Sequence, residues 1–243
     1  MPAEYFVLAG NAFLGSIVFG ASGFGAALVA MPLATHLVPL QFALALFALA
    51  DIANSYSVGL EKPKNAVRGE YLRLVPMILA GTVAGVTILV NLPRAAGMLL
   101  LGAFVIAYAV YALFPHAASR VISQGWAWLA GFVGGATSAL FGAGGPPYVI
   151  YLSQRGLSKE AFRATLGLIT MTSISVRVIA FLLTGLLLEP QVWLAALVVV
   201  PAALAGVALG RRVFLKMQKE QLARVIAVLL LASGGSLVLR ALN

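Results

Sequence analysis

Apolar residues run along this chain in blocks of roughly 20, the length a helix needs to cross the hydrocarbon core of a bilayer. The clearest blocks are 40–60, 72–91, 95–114, 159–187, 190–211 and 221–241. Turn or charge signals close them: Glu61-Lys62-Pro63, Asn91-Leu92-Pro93, Pro115, Glu189-Pro190 and the stretch from Arg211 to Lys219. Two regions depart from the pattern. Residues 4–37 are interrupted by Gly20-Ala21-Ser22-Gly23-Phe24-Gly25, and residues 124–155 by Gly142-Ala143-Gly144-Gly145-Pro146-Pro147. Each is long for one span and short for two, which predicts a pair of short helices meeting at a glycine break, either as spans or as a re-entrant hairpin. Broken backbone at membrane depth is tolerated only inside protein or against a water-filled cavity. Two consecutive prolines cannot occupy a helix interior, so the second region reads as a true break. Gly10 and Gly15 read instead as positions of close helix packing.

Composition places these blocks in lipid. Of 243 residues, 62% are hydrophobic and 9% charged, against about 25% charged in soluble domains. The net charge of +9 would suggest nucleic acid in a soluble protein, but the basic residues sit between apolar runs, so no nucleic-acid partner is expected and the charge reads as a positive-inside bias. There is no cysteine, and the two histidines, His36 and His116, are far apart, so neither a metal site nor a cofactor is expected. No His-Glu-x-x-His and no Ser-His or Asp-Asp pairing at helical spacing is present, which argues against an intramembrane enzyme. The N-terminus carries Glu4 in place of a basic signal region and reads as the start of the first membrane segment.

The chain repeats itself at an offset of roughly 120–125 residues, read by the logic of internal repeats. Pro76-x-x-Leu79-Ala80-Gly81-x-x-x-Gly85 matches Pro201-x-x-Leu204-Ala205-Gly206-x-x-x-Gly210, and Phe19-Gly20-Ala21-x-Gly23 matches Phe141-Gly142-Ala143-x-Gly145. Loop charges complement one another between the halves. Lys62, Lys64, Arg68 and Arg73 face a counterpart loop holding only Glu189; Arg94 faces Arg211, Arg212, Lys216, Lys219 and Arg224; the uncharged turn near 37–40 faces Arg155, Lys159 and Arg163. That is the signature of halves with opposite topology. The expected fold is therefore an all-α integral membrane protein of about ten helical segments in two inverted repeats of five, each opened by the broken pair or hairpin. The first repeat is 1–114, the cytoplasmic linker 115–123 and the second repeat 124–243. Both termini lie outside, and every basic residue except Arg94, Arg240 and the embedded Arg177 lies inside. The repeated Pro-x-x-Leu-Ala-Gly-x-x-x-Gly helices could pack within a protomer or between protomers, so a homo-oligomer stays open.

Inverted halves with broken helices are a basis for alternating access. Helix N-termini converging from the two breaks offer free N–H groups and partial positive charge to an anion. The candidate binding residues are Gly20, Ser22, Gly23 and Gly25 from the first break, and Gly142, Gly144, Gly145, Pro146 and Tyr148 from the second, with Arg177. Arg177 reads as an anion ligand or gate, or as one half of a structural ion pair with Asp51. Asp51, Asn54 and Arg163 are candidates for gating or coupling. Arg163 also fits positive-inside anchoring, Ser22 fits a cap on the second short helix, and Tyr148 fits packing. Trp126, Trp128 and Trp193 read as interfacial anchors.

Gly20-x-x-Gly23-x-Gly25 followed by Pro32, and Gly142-x-Gly144-Gly145-Pro146-Pro147 leading to Phe162-Arg163-Ala164-Thr165, resemble the sulfite exporter TauE/SafE family, also called the toluene sulfonate uptake permease family. The resemblance spans essentially the whole chain. It implies a multi-pass transporter of the cell inner membrane for sulfite, sulfonates, sulfoacetate or related organic anions. Ala26-Ala27 stand where the family's first half continues in glycine. The readings beside it are an anion channel, a transporter of another small organic anion, and a non-transporting membrane accessory protein.

Overall fold

In the computed structural model, residues 3–113 and 121–214, with 228, 231 and 234–236, are described. Most of the expected span 221–241, the start of the linker, and His116, Lys216, Lys219, Arg224 and Arg240 lie outside the described residues. Among those described, the protein is all-helical: α1 (Ala3–Ser22), α2 (Ala26–Ala34), α3 (Leu40–Gly59), α4 (Arg68–Asn91), α5 (Arg94–Leu113), α6 (Trp126–Phe141), α7 (Gly145–Ser153), α8 (Lys159–Leu183) and α9 (Pro190–Phe214). Five of them, α1, α3, α4, α8 and α9, are long and apolar enough to cross a membrane.

The polarity of the bundle is that of a protein dissolved in lipid. On α8, Arg177 is 1% exposed while Leu183, six residues on, is 84% exposed. Water as solvent would invert that order, because a buried charge is costly and an exposed leucine gains nothing from water. Trp126, Trp128 and Trp193 are each about half exposed near helix starts.

The breaks are hairpins with unequal arms. The expectation of two short helices needs correction: α1 has 20 residues and α6 has 16, whereas α2 and α7 have nine each. Nine residues rise about 13.5 Å, under half of a hydrocarbon core of about 30 Å, so α2 and α7 are not spans. Each folds back along its parent helix: Gly15 meets Ala26 and Ala30, and Gly144 meets Gly134 and Ser138. Gly10 departs from the packing expectation, since nothing lies within contact of it. The chain also starts α4 at Arg68, so Glu70 and Arg73 belong to a helix and not to the preceding loop.

The repeated glycine motif closes the two long contacts of the bundle. Gly81 and Gly85 on α4 let the backbone of α6 approach at Phe132 and Ala136, while Gly206 and Gly210 on α9 do the same for α1 at Phe13 and Ile17. Residue numbers rise together in both contacts, so α4 runs parallel to α6 and α9 parallel to α1. The motif thus packs within one chain. α3 crosses α8 antiparallel, through Asp51 with Arg177, Tyr56 with Ser175, and Gly59 against Gly167. α8 runs parallel to α4, through Val67 with Thr165 and Tyr71 with Thr172.

A Cβ at Gly206 would run into the carbonyl of Phe13. Gly206→Ala is therefore expected to lower stability by about 1–3 kcal/mol, the usual cost of overpacking. Gly10→Ala, with open space around it, is expected to be neutral or to gain up to about 1 kcal/mol from helix propensity. Thermal unfolding of both variants in detergent checks the pair; equal melting temperatures would refute the packing assignment.

Candidate functional site

The two breaks touch each other at the centre of the bundle. α1 ends at Ser22 and the chain turns through Gly23 (φ 83°) and Gly25 (φ 91°), while α6 ends at Gly142 (φ 70°). Left-handed backbone of this kind favours glycine because a Cβ would clash with the following carbonyl. The turns meet side by side. A Cβ on Gly142 would strike Ala27 and Arg177, and one on Gly145 would strike the ring of Phe24. The small cavity between them is lined by Gly25, Ala26 and Ala27 from the first break, Gly142 to Gly145 from the second, and Asp51, Ser138, Tyr148, Thr170 and Ser173 around them. It has room for roughly one water molecule.

Pro146 and Pro147 open α7 in its first turn. A proline there loses nothing, since those N–H groups have no intrahelical partner. Pro146 faces an apolar groove towards Tyr108 and Trp126 of α5 and α6, away from the central cavity. Gly20 sits inside α1 against the backbone of Val207 on α9, so its place is helix packing. Gly23 faces Leu166. Ser22 does not cap α2, which has no side-chain cap. Its Oγ lies 2.8 Å from Val18 O and 2.7 Å from Phe24 O, and accepts from Phe24 N–H, tying the turn together.

Beside the cavity lies the ion pair that the sequence offered for Arg177. Arg177 Nη2 donates to Asp51 Oδ2 at 2.8 Å, and Nη1 donates to Ser138 O at 3.1 Å. Both side chains are buried, at 1% and 5% exposure. Arg177 Nε has no hydrogen-bond partner, so one strong donor in the protein interior is unsatisfied. One turn along α3, Asn54 Nδ2 donates to Ser16 Oγ at 2.8 Å, and Asn54 Oδ1 has no partner. Tyr148 is fully buried and its hydroxyl lies 2.9 Å from Ser173 Oγ. Buried polar atoms without partners are rare in native proteins; here a donor and an acceptor of that kind sit on the two helices that cross at the cavity.

Residues 8–237 match the family model described as Sulfite exporter TauE/SafE. The chain belongs to the TauE/SafE family. Its relatives include a probable sulfite/organosulfonate exporter TauE of Cupriavidus necator, 27% identical over 228 residues that cover 91% of this chain and 89% of that protein. No solved structure matches the chain. The protein is thus a multi-pass membrane protein of a transporter family.

Arg163, grouped above with the coupling candidates, lies far from the centre of this TauE/SafE protein. It is 14 residues before Arg177 on α8, about 21 Å along the helix axis, and reaches Glu61 at 3.7 Å. Glu61 also lies 3.1 Å from Arg211, whose Nη2 donates to Ser57 O at 2.6 Å. A second cluster surrounds Glu70, which sequence reasoning missed. Arg155 donates to Glu70 Oε1 from Nε and approaches it with Nη2, both at 2.9 Å; Tyr151 donates to Oε2; and Arg155 Nη1 also donates to Ile122 O. Glu70 and Arg155 are 85 positions apart, so no local spacing announces them. These clusters tie the starts of α4 and α8 to the ends of α7 and α9 at the basic end. At the opposite end, Glu4, Tyr5, Gln41, Gly185 and Glu189 line an open vestibule.

Removing one member of a buried ion pair strands the other in the interior and costs about 3–5 kcal/mol. Arg177→Met alone is expected to lower the melting temperature strongly, and Arg177→Met with Asp51→Leu to recover most of that loss. Thermal unfolding of the single and double variants measures it; a double variant as unstable as the single one would show that the two residues are not coupled.

Proposed function

We propose that this protein is a secondary transporter of small sulfur-containing anions (sulfite, sulfonates, sulfoacetate or related organic anions) that works by alternating access in the cell inner membrane. The observation that carries the reading is Arg177: a buried guanidinium, next to the contact of the two breaks, with Nε unpartnered. An anionic oxygen is the natural acceptor for such a donor, since charge-assisted hydrogen bonds are about twice as strong as neutral ones. The first turns of α2 and α7 border the small cavity, whose lining residue Gly142 lies beside the Arg177 guanidinium, and add partial positive charge. The two helices contribute unequally. α2 offers first-turn N–H groups at Ala26, Ala27 and Leu28, whereas prolines remove those of α7 beyond Gly145. The name of the C. necator relative, a sulfite and organosulfonate exporter, supports sulfur oxyanions within the wider class of anions.

Alternating access draws support from the reciprocal packing. α1 on α9 has its counterpart in α6 on α4, through the same glycine motif, and the two partnerships run in opposite directions. Halves of opposite topology can exchange conformations. A cavity with room for roughly one water molecule is too small for a sulfonate, which supports a contracted state from which the halves must part. The basic end, with Glu61 and Glu70 holding arginines together, is the cytoplasmic one by the positive-inside rule, and the open vestibule faces outward.

Two measurements test the proposal. Reconstituted protein should accumulate a radiolabelled sulfonate in vesicles, and Arg177→Gln should weaken binding about 10–150-fold, the range for losing a charged hydrogen bond of about 1.5–3 kcal/mol; binding of a cation instead, with no sulfur anion bound, refutes the anion assignment. The chain has no cysteine of its own, so single replacements report topology. Glu189→Cys should react with an impermeant thiol reagent from outside whole cells and Lys64→Cys only after permeabilisation; the reverse pattern refutes the orientation.

A further inference from the structure

The charges at the centre of the bundle sum to zero before any substrate arrives. Asp51 carries one negative charge and Arg177 one positive, 2.8 Å apart and both buried. The other elements add no charge among the described residues. α1 and α6 present Ser16 and Ser138, and α2 has no ionisable side chain. α7 presents Tyr148, held by Ser173 of α8. Tyr108 of α5 packs on Phe24. The arginine of α9 nearest this region, Arg211, is engaged at the basic end by Glu61 and Ser57.

An anion at Arg177, the reading just proposed and on which this inference rests, places a second negative charge beside one guanidinium. A buried charge left without a counter-charge costs several kcal/mol. The nearby like charge also disfavours the ionised carboxylate, so the group escapes by binding a proton. Asp51 lines the cavity and is the carboxylate that the anion would displace from Arg177. A neutral Asp51 carboxyl needs an acceptor for its new O–H, and Asn54 Oδ1 is a buried acceptor without a partner on the same face of α3, one turn away. The two orphaned groups therefore match one event: Arg177 Nε awaits the anion, and Asn54 Oδ1 awaits the proton that comes with it.

We propose that Asp51 carries a co-transported proton, so that one proton binds and leaves with each monoanion. The proton comes from water on the side where the anion enters, resides on one Asp51 oxygen while Arg177 holds the anion, and returns to water on the other side as Asp51 re-forms its pair with Arg177. One positive and one negative charge cross together, so transport of a monoanion is electroneutral.

The experiment is calorimetric titration of the full-length protein in detergent with methanesulfonate, a permanently ionised monoanion, in buffers of different ionisation enthalpy. Wild-type protein is expected to take up about one proton per anion, with Kd rising about tenfold per pH unit where Asp51 is ionised in the free protein and protonated in the complex. Asp51→Asn is expected to bind methanesulfonate with no proton uptake and a Kd independent of pH. Should that variant fail to fold, wild-type uptake still decides whether a proton accompanies the anion, and Asp51→Glu, which keeps a carboxyl, is expected to keep that uptake over a shifted pH range. Wild-type binding with no proton taken up overturns the proton proposal and leaves the anion site standing. No methanesulfonate binding, or binding undiminished in Arg177→Gln, overturns the anion site and the proton proposal with it. Proton uptake that persists in folded Asp51→Asn assigns the proton elsewhere and overturns the role of Asp51.

Discussion

A helix that stops in the middle of a membrane protein leaves backbone groups that lipid cannot satisfy. Two such stops, after Ser22 and after Phe141, are enclosed here by setting one against the other, with Gly142 against Ala27 and Gly145 against Phe24. Everything else at the centre follows from that contact. It demands glycine where the chain turns with positive φ and where the turns meet. It also demands that α2 and α7 fold back, so that each first turn stays within protein. It creates a polar pocket that no lipid reaches, and only in such a pocket can Asp51 and Arg177 persist.

Away from that contact, the long helices pair closely along the sides of the bundle. α1 lies on α9 and α4 on α6 with backbones drawn together by Gly81, Gly85, Gly206 and Gly210. In lipid, where hydrophobic burial does not drive helices together, close backbone packing of this kind supplies much of the attraction. Across the middle, α3 and α8 are joined by polar contacts, one ion pair and the close approach of Gly59 to Gly167.

The two ends of the bundle differ in chemistry. The basic end is pinned by carboxylates: Glu61 between Arg163 and Arg211, and Glu70 beneath Arg155 and Tyr151. The opposite end holds Glu4 and Glu189 around an open vestibule. Arginines that a positive-inside count treats as interchangeable are thereby distinguished. Arg155 and Arg211 join elements distant in sequence, whereas the side chains of Lys62, Lys64 and Arg68 add charge at exposed positions.

Hydropathy by itself determined the membrane, α3, α4, α5, α8 and α9 to within a few residues, and the two breaks, because the thickness of a bilayer and the absence of a proline N–H act on any chain regardless of its fold. The Asp51–Arg177 pair was readable as an alternative, since embedded charges have few places to go. What only the tertiary structure decided depends on what the fold places beside each residue. It set Gly20 against α9 and Pro146 towards α5, made hairpins with unequal arms of the broken regions, gave Ser22 to its own turn, and paired Arg163 with Glu61 at the basic end. It also brought Glu70 to Arg155 across 85 positions. Glycine looks the same in a sequence whether it turns the chain, lets a helix approach or faces open space, as Gly25, Gly206 and Gly10 respectively do. A residue without a side chain carries no pattern of its own, and its role is set by whatever the fold places beside it.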